Sequence, residues 1–234
     1  IHRCAVAGHD GVPGGTALMA ALFRPAATPA GRSALIAALF AVVAAPTLIM
    51  VWVRTSWARG ERTTVAQPIP FSHALHAGTF RIDCRYCHSE VEWSASAGMP
   101  PSDRCVTCHQ TKWMASPALA PVRASLANGT PVPWQRVTQL PQFVYFNHAM
   151  HVRHGVGCET CHGRVDRMTV DRQVVPLTMG WCVSCHRDPE PHLRPQSAIT
   201  TMGWSPASLS PAERQTLTAS YGIHHYTNCT TCHR

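Results

Sequence analysis

The chain has 234 residues, a formal charge of +8 and only 14% charged side chains, and all but one of its 20 basic residues are Arg. Nineteen Pro and 15 Gly are spread along it, which excludes long uninterrupted helices and strands over most of its length. No Lys/Arg-rich run with interleaved aromatics occurs, so the basic balance does not point to nucleic acid.

Residues 1–32 are rich in Gly and Ala and carry Cys4, a cysteine outside any motif, read as a free thiol without a role. Residues 34–53 hold no charge, with Arg32 before them and Arg54 after. Twenty residues at 1.5 Å each cover the hydrocarbon core of a bilayer, about 30 Å. Pro46 is tolerated in such a helix, and Trp52 and Trp57 stand where an interfacial aromatic belt belongs. A secretory signal would have a shorter apolar stretch nearer the start, so residues 33–54 are read as a retained transmembrane helix. Cleavage near "TVAQ" is the alternative.

Ten of the eleven Cys fall in five copies of Cys-x-x-Cys-His: Cys84, Cys87 and His88; Cys105, Cys108 and His109; Cys158, Cys161 and His162; Cys182, Cys185 and His186; Cys229, Cys232 and His233. This is the attachment sequence of c-type haem. Two thiols add to the porphyrin vinyl groups, and the adjoining imidazole meets the iron from the same side. Zinc ribbons also use paired Cys-x-x-Cys. At this His content, however, five chance placements behind five pairs would occur on the order of once in a million trials. Five covalent c-type haems are therefore expected. Thioether formation happens on the outer side of an energy-transducing membrane, which makes residues 1–32 a cytoplasmic extension and 55–234 a periplasmic or extracytoplasmic domain.

The motifs are embedded in a duplication. Phe71-Ser72-His73-Ala74-Leu75-His76 precedes the motifs at 84 and 105, and Phe146-Asn147-His148-Ala149-Met150-His151 precedes those at 158 and 182. The two-haem units span about 71–113 and 143–190; residues 114–142, with five Pro, read as an irregular linker, and the motif at 229–233 stands alone. Two His at i and i+3 lie on neighbouring faces of one helical turn, so each can address a different iron. His73, His76, His148 and His151 are read as distal ligands of four of the five irons, His or Met being usual in electron carriers. For the fifth, the candidates are Met179, His154, His192, His224 and His225, with Met99 a loose parallel to Met179.

With "QPIPFSHALHAG", "CRYCHSEVEWSASAGMPPSDRCVTCH", "FVYFNHAMH", "GVGCETCHGRVDRM", "PLTMGWCVSCHR" and "NCTTCHR", residues 33–234 resemble the membrane-anchored pentahaem cytochrome c subunit of alternative complex III, a bacterial quinol-oxidising complex. The resemblance implies distal ligands from the two Phe-x-His-x-x-His turns and favours Met179, in the recurring phrase "LTM", as the fifth. It also implies an iron–sulfur subunit, multispanning membrane subunits and a small cytochrome c as partners, with a soluble carrier or terminal oxidase as acceptor.

The expected fold is mainly α with much irregular structure and little or no β-sheet, a haem-packed domain behind one transmembrane helix. Five haems would bring ten propionates, taking the formal charge of +8 to about −2 with every iron ferrous, and the Arg side chains are their natural partners. The expected role is electron relay, with no acid–base catalytic residue. Two other readings belong to different classes: a stand-alone membrane-anchored quinol dehydrogenase feeding a nitrite or nitrate reductase, and a multihaem reductase enzyme with an iron open to substrate.

Overall fold

The computed structural model describes residues 28–233; Cys4 and residues 1–27 of the expected N-terminal extension lie outside them. The chain divides into two compact units, with the boundary after Thr55.

In the first unit, α1 (Thr28–Trp52) is a helix of 25 residues. It begins ahead of the span expected at 33–54, since Pro29 falls in the first turn, where a helix accepts proline. None of its residues is buried, and Leu35, Phe40 and Val43 are all mostly exposed. A helix that is apolar all round requires an apolar surrounding, and this one is long and apolar enough to cross a membrane. The hydroxyl in its apolar stretch is satisfied within the helix, Thr47 Oγ1 donating to the Val43 carbonyl at 2.8 Å. Arg54 donates to the Met50 carbonyl at 3.1 Å and so serves one of the last carbonyls.

The second unit, from Ser56 onward, is helical and irregular. Its described residues contain no strand, only the isolated antiparallel bridges Thr64–Arg172, Val144–His233 and Val156–Leu193. The duplication is visible in the helices. In the first half, a π-helical turn (Ala74–Thr79) leads to α2 (Cys84–Cys87) and α3 (Ser102–His109). In the second, α5 (His148–Arg153) leads to α6 (Cys158–His162) and α7 (Met179–Arg187). Side-chain caps start several of them: Asp83 accepts from Arg85 N, Asn147 from Met150 N and Thr178 from Trp181 N.

The halves grip each other reciprocally. Ala149 N donates to the Ser94 carbonyl at 3.1 Å and Ala74 N to the Met168 carbonyl at 2.9 Å. In each bond, the donor follows the first His of one half's turn, and the acceptor lies at the same distance past the first motif of the other half. Gly78 permits the close approach, because a Cβ there would stand 2.2 Å from the Asp166 carbonyl oxygen.

Residues 114–142 are not irregular throughout. They contain α4 (Ala120–Asn128), with Pro121 in its first turn and Gly129 closing it at φ 64. Its Val122, 1% exposed, packs with Ile69 and Val132 in one small core; Val91, Val152 and Ile199 form another. Beyond these, α8 (Pro211–Ser220) is started by a Ser210–Glu213 capping box, and α9 (Cys229–Cys232) carries the last motif. Nine buried apolar residues form the core of the described chain, too few for a domain of this size to rest on protein contacts alone.

Candidate cofactor site: facing imidazoles

Each Cys-x-x-Cys-His begins on, or lies within, a short helix, and in four of the five the motif His turns toward a second imidazole. The histidines meet in four couples. Ring centroids are 6.4 Å apart for His73 and His88, 6.2 Å for His76 and His109, 6.3 Å for His148 and His162, and 6.1 Å for His151 and His186. A metal–imidazole bond of about 2 Å on each side, with the ring itself added, spans about 6 Å. The separation thus suits one ion between each couple. Among the described residues, no three His, Cys, Asp or Glu side chains gather as a tetrahedral zinc site would require.

The pairing has a simple rule: in each half, the first His of the turn faces the first motif and the second His faces the second. Ring planes cross at only 9° in both first-motif couples, but at 50° and 74° in the second-motif couples. The aromatic residue ahead of each turn sets the rings. Phe71 stacks on His76 at 4.3 Å and meets His73 edge-on at 4.9 Å; Phe146 repeats this with His151 at 4.5 Å and His148 at 4.7 Å.

Backbone carbonyls fix which nitrogen is free. Nδ1 of His76 bonds Ser72 O at 2.9 Å, and Nδ1 of His88, His148 and His151 bonds Gly98 O, Ala95 O and Asn147 O, each at 2.8 Å. A carbonyl only accepts, so Nδ1 carries the proton and Nε2 keeps its lone pair for a metal. Burial pushes the pKa of His88 and His151 down and takes that of His162 to about 4, so these rings are neutral at pH 7. Buried polar atoms without a protein partner cluster here too: Nδ1 of His109, and Nε of Arg194, whose guanidinium packs against Gly157 ahead of Cys158. An unpaired guanidinium N–H beside the third motif is what an acidic group of a cofactor would satisfy.

The motifs adjoin one another in the order second, first, third, fourth, fifth. Tyr86 donates to Thr107 at 3.0 Å, tying the first motif to the second, and burial, with Cys105 and Cys108 nearby, raises the pKa of Cys87. The thiols of Cys84 and Cys158 lie against each other, which favours the Cys84 thiolate and pushes Cys158 up. Thr200 reaches Asp83 at 2.8 Å while its neighbour Ile199 accepts from Cys158 N at 3.1 Å, again joining first to third. Burial, with Cys185 and Cys182 nearby, takes Cys161 up to about 12, and burial, with Cys232 nearby, also raises Cys182. Tyr145 N donates to the Cys232 carbonyl at 2.8 Å, so the fifth motif docks beside the second half's histidine turn. None of the ten motif cysteines is in a disulfide.

His233 stands apart from the four couples. Its Nδ1 lies 3.1 Å from the Phe143 carbonyl, and its ring is 5.8 Å from Phe143. Met179 is the first residue of α7 and is 71% exposed. His225 has both nitrogens engaged, by the Arg187 carbonyl at 2.8 Å and Glu190 at 3.2 Å. His154 binds the Met150 carbonyl through Nδ1 at 2.6 Å, His224 lies beside Tyr226, and His192 ends a 3₁₀ turn, Glu190–His192. Met99 is exposed. One residue that spacing did not reveal is Asp171, whose Oδ2 lies 2.7 Å from Nδ1 of His73.

Motif helices, facing imidazoles and a minimal core define a multihaem c-type cytochrome. The comparisons agree: residues 144–234, the second half and the last motif, match the model of the family described as cytochrome c7 and related cytochrome c. The chain is also 35% identical, over 97 residues, to the menaquinone reductase multiheme cytochrome c subunit of Nitratidesulfovibrio vulgaris. That alignment covers 41% of this chain and 45% of the relative, so the chain spans about half the length of the curated relative it matches.

Proposed function

We propose that this chain is the pentahaem electron wire of a membrane quinone-linked complex, anchored by α1 with its second unit on the extracytoplasmic side. The observation that carries the reading is the set of four facing His couples on motifs that adjoin in one line. In it, Cys84, Cys87, Cys105, Cys108, Cys158, Cys161, Cys182, Cys185, Cys229 and Cys232 hold the five haems covalently. His88, His109, His162, His186 and His233 would each supply one ligand to an iron; His73, His76, His148 and His151 would supply a second to four of them, and Met179 to the fifth. Bound there, haem supplies one-electron chemistry. The order in which the motifs adjoin would set the order of hops, second to first to third to fourth to fifth.

The partners at the two ends decide where electrons enter and leave. The resemblance to alternative complex III favours quinol oxidation, with electrons received from an iron–sulfur subunit and passed to a small cytochrome c, a soluble carrier or an oxidase. The relative's name favours the reverse, since that protein belongs to a menaquinone reductase. The test is purification from native membranes in mild detergent, with haem-stained gels and mass spectrometry of co-migrating chains. A large iron–sulfur subunit, multispanning subunits and a small cytochrome c support the first reading. Isolation alone, or with a nitrite or nitrate reductase, overturns it in favour of a stand-alone quinol dehydrogenase.

The ligand assignment has its own spectroscopic check. Two irons between near-parallel imidazole planes and two between steeply crossed planes are expected to give two classes of low-spin ferric EPR signal, in equal amount. A single class from all four irons would contradict the pairing.

A further inference from the structure

The duplication supplies an internal control, because the first- and third-motif sites are almost superimposable in their inner geometry. Their imidazole couples are 6.4 and 6.3 Å apart, both with planes at 9°. Their edge-on Phe contacts are 4.9 Å at 83° and 4.7 Å at 88°. They differ in what faces Nδ1 of the turn histidine. His148 donates to a neutral carbonyl, that of Ala95, at 2.8 Å. His73 instead has a carboxylate, Asp171 Oδ2, at 2.7 Å.

The His73–Asp171 contact is close but not in line with the ring N–H, and neither Nδ1 of His73 nor Oδ1 of Asp171 has another hydrogen-bond partner in the described chain. It is therefore a charge contact first. Asp171 comes from the second half of the chain and reaches the histidine turn of the first, beside the Ala74–Met168 hydrogen bond between the halves. Its charge is also felt at His88 and, across the line, at His162, but the contact is with His73.

A carboxylate on the far nitrogen of a ligating imidazole makes that ligand more basic and stabilises the more positive state of the metal. In a partly buried site, the negative charge acts in the same sense through space. We propose that Asp171 is a positioning residue that breaks the electrical symmetry of the two central sites, holding the first-motif iron at a lower reduction potential than the third. One electron then passes downhill, the first-motif iron going from ferrous to ferric as the third goes from ferric to ferrous. Within the duplicated core, this gives the line a preferred direction, from the first half toward the second. The inference rests on the ligand reading above.

The test uses the full haem-loaded chain and compares it with Asp171→Asn, following redox titrations by visible and EPR spectra. In Asp171→Asn, one of the two near-parallel-plane irons is expected to become about tenfold easier to reduce at a fixed potential, a shift of about 59 mV. The other irons should keep their potentials. Asp171→Glu should restore the low value, and Asp171→Ser should repeat the Asn result if the Asn chain accumulates poorly. Normal low-spin spectra in both chains with unmoved potentials would overturn the role of Asp171 while leaving the ligand reading intact. Absence of the paired low-spin signals from the unaltered chain would overturn the ligand reading itself.

Discussion

A chain carrying Cys158→Ala is expected not to accumulate in membranes as a four-haem protein; it should be lost as a whole. Cys158 sits where the halves meet. Its thiol lies against that of Cys84, its amide donates to the Ile199 carbonyl, and its side chain packs on the Val91, Val152 and Ile199 cluster. Losing the haem there removes the ion between His148 and His162 and the apolar mass beside a cluster of three residues. Metal binding in small domains can be worth about 10–16 kcal/mol, while a typical domain is stable by only about 5–15 kcal/mol in total. The fifth motif makes a useful contrast, because it docks at one end of the line. Cys229→Ala should accumulate with four haems, as read by haem-stained gels and intact mass. Normal accumulation of the Cys158→Ala chain would show that the porphyrin groups are not the core.

Replacing His151 with Met is expected to raise the potential of one iron by a sizeable part of the roughly 0.8 V that axial ligands span. Thioether sulfur favours ferrous iron more than imidazole does, so the sign is upward. His151 is a suitable position because Phe146 stacks on it and its ring faces His186 at 6.1 Å, in a site that a side chain of similar length can fill. Spectroelectrochemistry should show one wave moved and a new sulfur-to-iron charge-transfer band. The effect on flux follows from order in the line. The fourth motif lies between the third and the fifth, so a high-potential iron there collects electrons and slows delivery through the last site. Unchanged potentials in a folded His151→Met chain would mean that His151 does not ligate.

The five motifs and the two histidine turns were legible because covalent attachment demands fixed spacing, and duplication wrote that spacing twice. Which turn histidine meets which motif was not legible. His73 and His76 sit three residues apart on one turn ahead of both motifs, and only the folding of the turn separates their directions. Residues 114–142 misled for a different reason. Pro117 and Pro121 stop a helix in its interior but suit its first turn, and α4 uses Pro121 there. Asp171 could not have been found from spacing at all, because its contact with His73 crosses between the halves.

The reciprocal bonds from Ala149 to Ser94 and from Ala74 to Met168 have the form of an isologous interface, in which the same patch on each partner binds the other. Such interfaces normally join two identical subunits. Here both partners lie in one chain, as though a twofold dimer of a two-haem module had been fused end to end. Fusion frees each copy to change alone. One copy acquired a carboxylate against its partner's histidine and a fifth site beyond its outer motif, and a symmetric object thereby gained a front and a back.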